Sequence, residues 1–365
     1  MSRVTVIGCG IVGAMIAYEL SKKPNLTITV FDQNPPAKGS TGAALGVLMS
    51  VISHKVKGRG WRLRSQTMQR YETLIPELEQ IINRQIPYNR KGILMLCFAG
   101  EDLSRWQKLI QIRQTQGLQL QLLNLTEIQT NYPQVNCENV MAAVYSPQDR
   151  QVDPTALTFA LIDAAKINGV KFNFNTTVQS LKTLTNSENQ QICQAIETTD
   201  TEVNTDWVVV AAGLGSTPLL PTTIEQNQLK IKPVLGQALR IKLNQSLGET
   251  QPIITGNDVH IVPLENNEYW IGATVEFPEN EDKIIPDSLQ LETVLEQAIT
   301  ICPQLSQGEI IKKWSGLRPR PDGQPAPIIR QLPGYQNILL ATGHYRNGVL
   351  LAPVTAQEIC QMIQS

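Results

Sequence analysis

Gly8, Gly10 and Gly13 stand in the run Val4-Thr5-Val6-Ile7-Gly8-Cys9-Gly10-Ile11-Val12-Gly13, and an acid follows at Asp32. Residues of strand pattern enter these glycines, and Val12, Met15, Ile16 and Leu20 leave them at helical spacing, so they sit where a strand becomes a helix. That junction can hold a pyrophosphate. Gly8 allows the tight turn, Gly10 close backbone approach and Gly13 close helix–strand packing, while the helix start offers unpaired N–H groups and a partial positive charge. A second strand, Thr27 to Phe31, would deliver Asp32 to ribose hydroxyls, where its charge disfavours a 2′-phosphate. The chemistry is dinucleotide binding, and the glycines alone do not separate FAD from NAD.

The rest of the chain must position this turn. At 365 residues, two domains are expected, possibly interleaved. Hydrophobic residues make up 42%, charged residues 17%, and the formal net charge is -1, which describes an ordinary globular protein with no electrostatic call for nucleic acid. Six scattered cysteines without Cys-x-x-Cys spacing read as reduced thiols. No 18-residue apolar run exists, and the first strand begins right after Met1-Ser2-Arg3, so a soluble, cytoplasmic protein is expected.

Small residues fill Pro35 to Gly46, and helical patterns cover Trp61 to Ile82, Asp102 to Gln114 and Pro154 to Asn168. Strands are predicted at Gly92 to Phe98 and Lys171 to Phe174, with a polar hairpin from Leu181 to Val203. The apolar Trp207 to Val210 run ends at Gly213 and Gly215, the pattern of a central parallel strand reaching a cofactor. Alternation at Gln237 to Ile241, Val259 to Pro263, Glu268 to Ala273 and Glu309 to Lys313 predicts an antiparallel sheet, with a helix at Leu289 to Ile299. A last strand, Asn337 to Thr342, turns at Gly343 towards a helix over Pro353 to Ile363. The fold class is α/β: a Rossmann-like dinucleotide-binding domain (1–85, 147–220 and 315–365) interleaved with an α+β substrate domain built on an antiparallel sheet (86–146 and 221–314).

Four segments occur together in order: the opening motif, Gly39-Ser40-Thr41-Gly42-Ala43-Ala44-Leu45-Gly46, Ser315-Gly316-Leu317-Arg318-Pro319, and Gly343-His344-Tyr345-Arg346-Asn347-Gly348-Val349-Leu350-Leu351-Ala352-Pro353. Together they resemble the glycine oxidases of the D-amino-acid oxidase family of flavoproteins, across essentially the whole chain. The resemblance selects FAD over NAD. It implies FAD binding at Ile11, Val12, Asp32, Gln33, Ser40, Thr41, Leu45, Gly46, Val47, Val178 and His344 to Leu350. It also implies that Arg318 and Arg346 hold the substrate carboxylate, for which a guanidinium supplies two parallel N–H bonds. Gly316 and Pro319 are expected to set Arg318 on a stiff turn. A late helix starting between Gly348 and Pro353 would place positive charge beside the flavin N1 and C2 carbonyl.

In the sheet domain, His260 stands where glycine oxidases can have tyrosine, and Val275 where they can have methionine. His260 reads either as a pocket residue that titrates near neutrality or as a hydrogen-bonded strand histidine. Lys55, Lys57, Arg59, Arg62 and Arg64 form a basic run, read as a solvated loop and helix start or as a docking patch for an anionic partner, membrane surfaces included. His54, His260 and His344 show no metal-ligand spacing, and no Gly-x-Ser-x-Gly elbow supports a serine hydrolase.

The implied reaction is oxidative deamination of glycine or a similar small amino acid, with hydride passing from the α-carbon to flavin N5. Imine hydrolysis then gives glyoxylate and ammonia, and dioxygen reoxidises the flavin to give hydrogen peroxide. The competing readings are a flavin dehydrogenase acting on D-amino acids or proline that passes electrons to a quinone or other carrier, and a flavin-binding sensor. A homo-oligomer is expected, and thiamine precursor synthesis is the pathway the resemblance suggests.

Overall fold

In the computed structural model, residues 1–185, 187, 190–220, 229–278 and 284–364 are described. Most of the tip of the expected Leu181 to Val203 hairpin, and residues 221–228 and 279–283 of the expected substrate domain, lie outside them.

Two large sheets organise the molecule. The first has six strands in the order Ile328–Gln331, Ile338–Thr342, Trp207–Val210, Ser2–Ile7, Leu26–Asp32 and Lys171–Phe174, all parallel except the antiparallel edge strand Ile328–Gln331. Its central strands read as continuous apolar runs because both faces are covered, a signature of parallel sheets. The helix Ile11–Ser21 leaves the glycine turn and packs between Pro154–Ile167 and Gly348–Gln364, which buries it almost all round. A Cβ at Gly13 would collide with the Gly8 carbonyl oxygen, so only glycine permits that seating.

The second sheet has eight strands: Glu309–Pro321, Ile231–Lys242, Glu268–Gly272, Val259–Pro263, Ile253–Gly256, Ile93–Phe98, Val140–Ser146 and Gln121–Leu123. It is antiparallel except where Ile253–Gly256 runs parallel to Ile93–Phe98. The helix Ser288–Ile301 covers one face through Leu291, Val294, Ala298 and Ile301. The α/β class and the mixture of parallel and antiparallel sheets agree with the sequence reading.

Two local expectations need correction. The strand carrying Arg318 is not Glu309 to Lys313 followed by a turn. It runs unbroken from Glu309 to Pro321, so position 315, expected as a domain boundary, falls inside it. Its register against Ile231–Lys242 is continuous from Gln237↔Ser315 to Ile231↔Pro321, and these main-chain bonds override the turn character of Gly316 and Pro319. The last helix starts at Gly348, at the early end of the expected Gly348 to Pro353 start and five residues before the narrower Pro353 to Ile363 bounds. Pro353 has no N–H for the Val349 carbonyl one turn back, and the buried Tyr71 hydroxyl donates to it instead at 2.6 Å, so the helix continues through the proline. Among the described residues, no helix is long and apolar enough to cross a membrane.

Candidate active site

A cavity of about 730 Å³ runs from the glycine turn across the small-residue loop to the eight-stranded sheet. At one end lie Gly8, Gly10, Ile11, Val12, Asp32 and Gln33. Asp32 Oδ2 accepts from the Cys9 amide at 2.7 Å and Oδ1 from the Asn34 amide at 2.8 Å, so the acid ties the glycine turn to the end of the second strand. Gly8 has φ +101°, and a Cβ there would lie 2.6 Å from the Ala211 carbonyl oxygen. The following helix has Gly10 as its N-cap, with no side-chain cap bond. A helix start beside a turn that excludes side chains fits a pyrophosphate; its first amide, Ile11, donates to Thr41 Oγ1 at 3.0 Å, from the loop on the same cavity wall, and the residues present fit FAD.

The middle of the cavity is lined by Ser40, Thr41, Leu45, Gly46 and Val47. The small residues have a structural reason. Ser40 Oγ donates to the Leu317 carbonyl at 2.6 Å, Trp314 Nε1 donates to the Ala43 carbonyl at 3.1 Å, and a Cβ at Gly316 would overlap the Ala43 methyl. The loop thus wedges between the two sheets. Gly213 and Gly343, both at positive φ, end adjacent parallel strands at the cavity wall. Beyond Gly343 follow His344, the short 3-10 turn Tyr345–Asn347, and Gly348, Val349 and Leu350 at the helix start.

Arg318 reaches this space from the edge of the eight-stranded sheet. Its guanidinium lies over Gly236 of the neighbouring strand, where any Cβ would collide with it, and Nη1 donates to the Leu235 carbonyl at 2.9 Å. Burial, and repulsion from Arg346, lower its pKa, while Tyr345 and Glu276 oppose this. Arg346 is more exposed, and its contact with Asp258 at 3.6 Å is between groups 40% and 84% exposed, so it is screened and weak. Replacing Gly236 by alanine is expected to displace the Arg318 fork and lower kcat/KM on the order of 10²-fold with FAD content near wild type. Kinetics with a flavin-to-protein ratio on the same preparation check this, and unchanged kinetics would refute it.

His260 also lines the cavity and shares a hydrogen bond between Nδ1 and Thr255 Oγ1 at 2.9 Å. Burial first, then Arg346, push its pKa down to about 4, with Arg318 adding a smaller effect and Asp258 opposing. The downward shift and the Thr255 hydrogen bond favour the reading of His260 as a hydrogen-bonded strand histidine. His344 is held at about 3 by burial, with Arg59 adding to it, and its Nε2 meets Thr355 Oγ1 at 2.9 Å. Both folded values lie below the unfolded histidine value near 6.5, so stability is complete above that pH and falls as pH drops towards 4 and 3. For the fully enclosed His344 the slope is about 1.4 kcal/mol per pH unit below about 6. His344→Gln is expected to flatten the acid side of the denaturation-midpoint profile between pH 7.5 and 4.5; parallel profiles would exclude this origin.

Three expected site residues do not line the cavity. Gly13 sits behind the glycine turn, against Gly8. Val178 opens a strand of a separate three-stranded sheet, and its side chain is buried among Phe31, Cys193 and Ile196. Val275 stands beyond the position that faces the cavity, which is Ala273, while its neighbours Thr274 and Glu276 turn to Gln237.

Met49, Ser53, Arg64 and Gln237, which the sequence did not single out as site residues, line the cavity. Gln237 is fixed by its Nε2 donating to Glu276 Oε1 at 2.9 Å. Alternation in its strand carried no signal for that role. The basic run is not one patch either: Arg59 and Arg62 lean on Glu358 at 3.7 and 3.6 Å, Lys55 and Lys57 are exposed, and Arg64 turns inward.

The loop under the cavity is clamped from two sides. Buried Asp149 accepts from the amides of Ser50, Val51 and Ile52 at 2.6, 2.9 and 2.8 Å, and from Ser146 Oγ at 2.7 Å. Fully buried Arg113 donates to the carbonyls of Val51, Ser53 and Lys55 at 2.7, 2.7 and 3.0 Å and stacks over Trp61 at 3.8 Å.

Residues 3–362 match the family described as FAD dependent oxidoreductase. The chain is 26% identical over 361 residues to the glycine oxidase of Geobacillus kaustophilus, covering 99% of this chain and 92% of that protein. It is 30% identical over 367 residues to the bifunctional protein ThiO/ThiG of Trichormus variabilis, covering 99% of this chain and 52% of that protein, so it spans about half the length of such relatives. The solved glycine oxidase of Bacillus cereus superposes with a TM-score of 0.86 at 25% identity, covering 100% of this chain and 95% of that one. The glycine turn, the cavity and these matches agree, and the chain belongs to the family of FAD-dependent oxidoreductases.

Proposed function

We propose that the protein oxidises the α-carbon of glycine or a similar small amino acid. The observation that carries this is Arg318, whose guanidinium is fixed over Gly236 in the same cavity as the FAD-fitting glycine turn. Arg318 binds the substrate carboxylate as a bidentate fork, and Arg346, on the turn before the last helix and lining the same cavity, braces it. Two groups on one carboxylate fix the α-carbon in place, which is where positioning lowers the barrier. His260, neutral at physiological pH, closes the wall without adding charge. No residue need act as general base when the amine enters unprotonated.

Bound FAD supplies acceptance of two electrons from the amino acid and their transfer to dioxygen, so amino acid, dioxygen and water become oxoacid, ammonia and hydrogen peroxide. The N-terminus of the helix Gly348–Gln364 faces the cavity and favours negative charge there. On the same reading the protein acts as a cytoplasmic homo-oligomer.

Anaerobic mixing of the holoenzyme with glycine, sarcosine, D-alanine and D-proline tests this. Bleaching of the flavin by at least one, and stoichiometric peroxide when air is readmitted, are the expected results. No bleaching by any would overturn the reading, and bleaching without peroxide would replace the oxidase with a dehydrogenase feeding another carrier.

A further inference from the structure

Arg64 stands out among the buried cations. Arg70, on the same helix, meets Glu19 and Glu77 at 2.7 Å each. Arg64 Nη1 instead donates to the Gly60 carbonyl at 3.2 Å and Nη2 to Asn347 Oδ1 at 3.3 Å. Its Nε is buried and donates to no acceptor among the described residues, and no carboxylate lies within ion-pair distance of it. A guanidinium with a buried, unused donor costs free energy unless an anion takes it up.

The nearest negative charge is committed elsewhere. Asp149 raises the Arg64 pKa against the lowering by burial, yet its oxygens already accept from three loop amides and Ser146. Along the cavity wall, Asp32 is the one carboxylate among the described lining residues, and it lies at the glycine turn, held by two amides. Arg64, Arg318 and Arg346 line this cavity too, and among the described residues the carboxylate in ion-pair contact with any of them is the exposed Asp258, 3.6 Å from Arg346. One α-carboxylate satisfies Arg318 and Arg346 but leaves the third charge unmet.

We propose that Arg64 is a specificity-determining residue forming a second anion position, so that the preferred substrates carry an acidic group beyond the α-carboxylate, as dicarboxylic amino acids do. This rests on the amino-acid oxidation proposed above. Asn347 orients the Arg64 fork from the turn that carries Arg346, which ties the second position to the first. The clamp of Asp149 and Arg113 fixes the Ser50 to Lys55 loop, which carries Ser53 on the same cavity wall.

The test uses the FAD-loaded enzyme and Arg64→Met and Arg64→Lys variants, titrated with acetate, malonate, succinate and glutarate while the visible flavin absorption is followed. For the wild type, at least one dicarboxylate is expected to bind 10-fold or more tightly than acetate. Arg64→Met should reduce that ratio at least 10-fold, and Arg64→Lys should restore part of it. Equal loss for acetate and dicarboxylates, an unchanged ratio, or a shifted flavin reduction potential with the ratio intact would each overturn the proposal. Flavin content and the thermal midpoint of each variant establish that it is folded.

Anaerobic bleaching by aspartate or glutamate, compared with glycine, separates the two proposals. If glycine bleaches the flavin but the dicarboxylate preference is missing, only the second anion position falls. If no amino acid bleaches it, the oxidation reading falls whatever the titrations give.

Discussion

Replacing Arg318 by alanine is expected to lower kcat/KM for any substrate that bleaches the flavin by roughly 10³-fold, equivalent to about 4 kcal/mol. FAD content should stay near wild type. The magnitude follows from a partly buried guanidinium bonding a carboxylate through two charge-assisted hydrogen bonds in a cavity that screens poorly. Retention of FAD follows from position: Arg318 pairs with the Val234 strand in the eight-stranded sheet, whereas the glycine turn is built on the six-stranded one. Arg318→Lys should recover little, since an ammonium cannot reproduce the fork that lies over Gly236. Steady-state kinetics with flavin-to-protein ratios decide the matter, and loss of FAD in Arg318→Ala would move this residue from substrate to cofactor.

Arg113→Met should cost about 3–5 kcal/mol of stability, because removing a fully buried cation strands the groups that faced it. Three carbonyls of the Val51 to Lys55 loop lose their donor together, and Asp149 loses a nearby positive charge. Burial lowers the Arg113 pKa to about 10, so the group is still cationic at neutral pH and the interaction removed is a charged one. Denaturant unfolding of holoenzyme measures the loss. A second readout reaches the active site: the loop carries Ser53, so KM should rise in the surviving folded fraction. A change below about 1 kcal/mol would mean that solvent takes over the carbonyls and that the clamp is not structural.

How far the sequence could be read differs along the chain for physical reasons. The glycine turn was legible because its requirements are local: Gly8 and Gly13 must lack Cβ atoms for reasons set within a dozen residues and one neighbouring strand. Helices and central strands were legible from period and apolarity, and their ends shifted by only a few residues, except where long-range contacts intervened. Pro353 reads as a helix start until Tyr71, from another helix, supplies the missing donor. Ser315 to Pro319 reads as a turn until twelve residues of the Ile231–Lys242 strand pair alongside.

Residue types and order by themselves determined the dinucleotide site and the α/β class, because each rests on a local pattern with its own stereochemistry, whereas the two arginines of the C-terminal third were marked only by the family resemblance, since an arginine without that context reads as a surface residue. Only the tertiary structure decided what surrounds those arginines. It turned Arg64 out of an apparent basic run and into the cavity, held His260 neutral, removed Val275 from the cavity lining, and revealed the Asp149 and Arg113 clamp. These are outcomes of burial and of contacts between residues tens to hundreds of positions apart, and no local pattern encodes the field that such neighbours create.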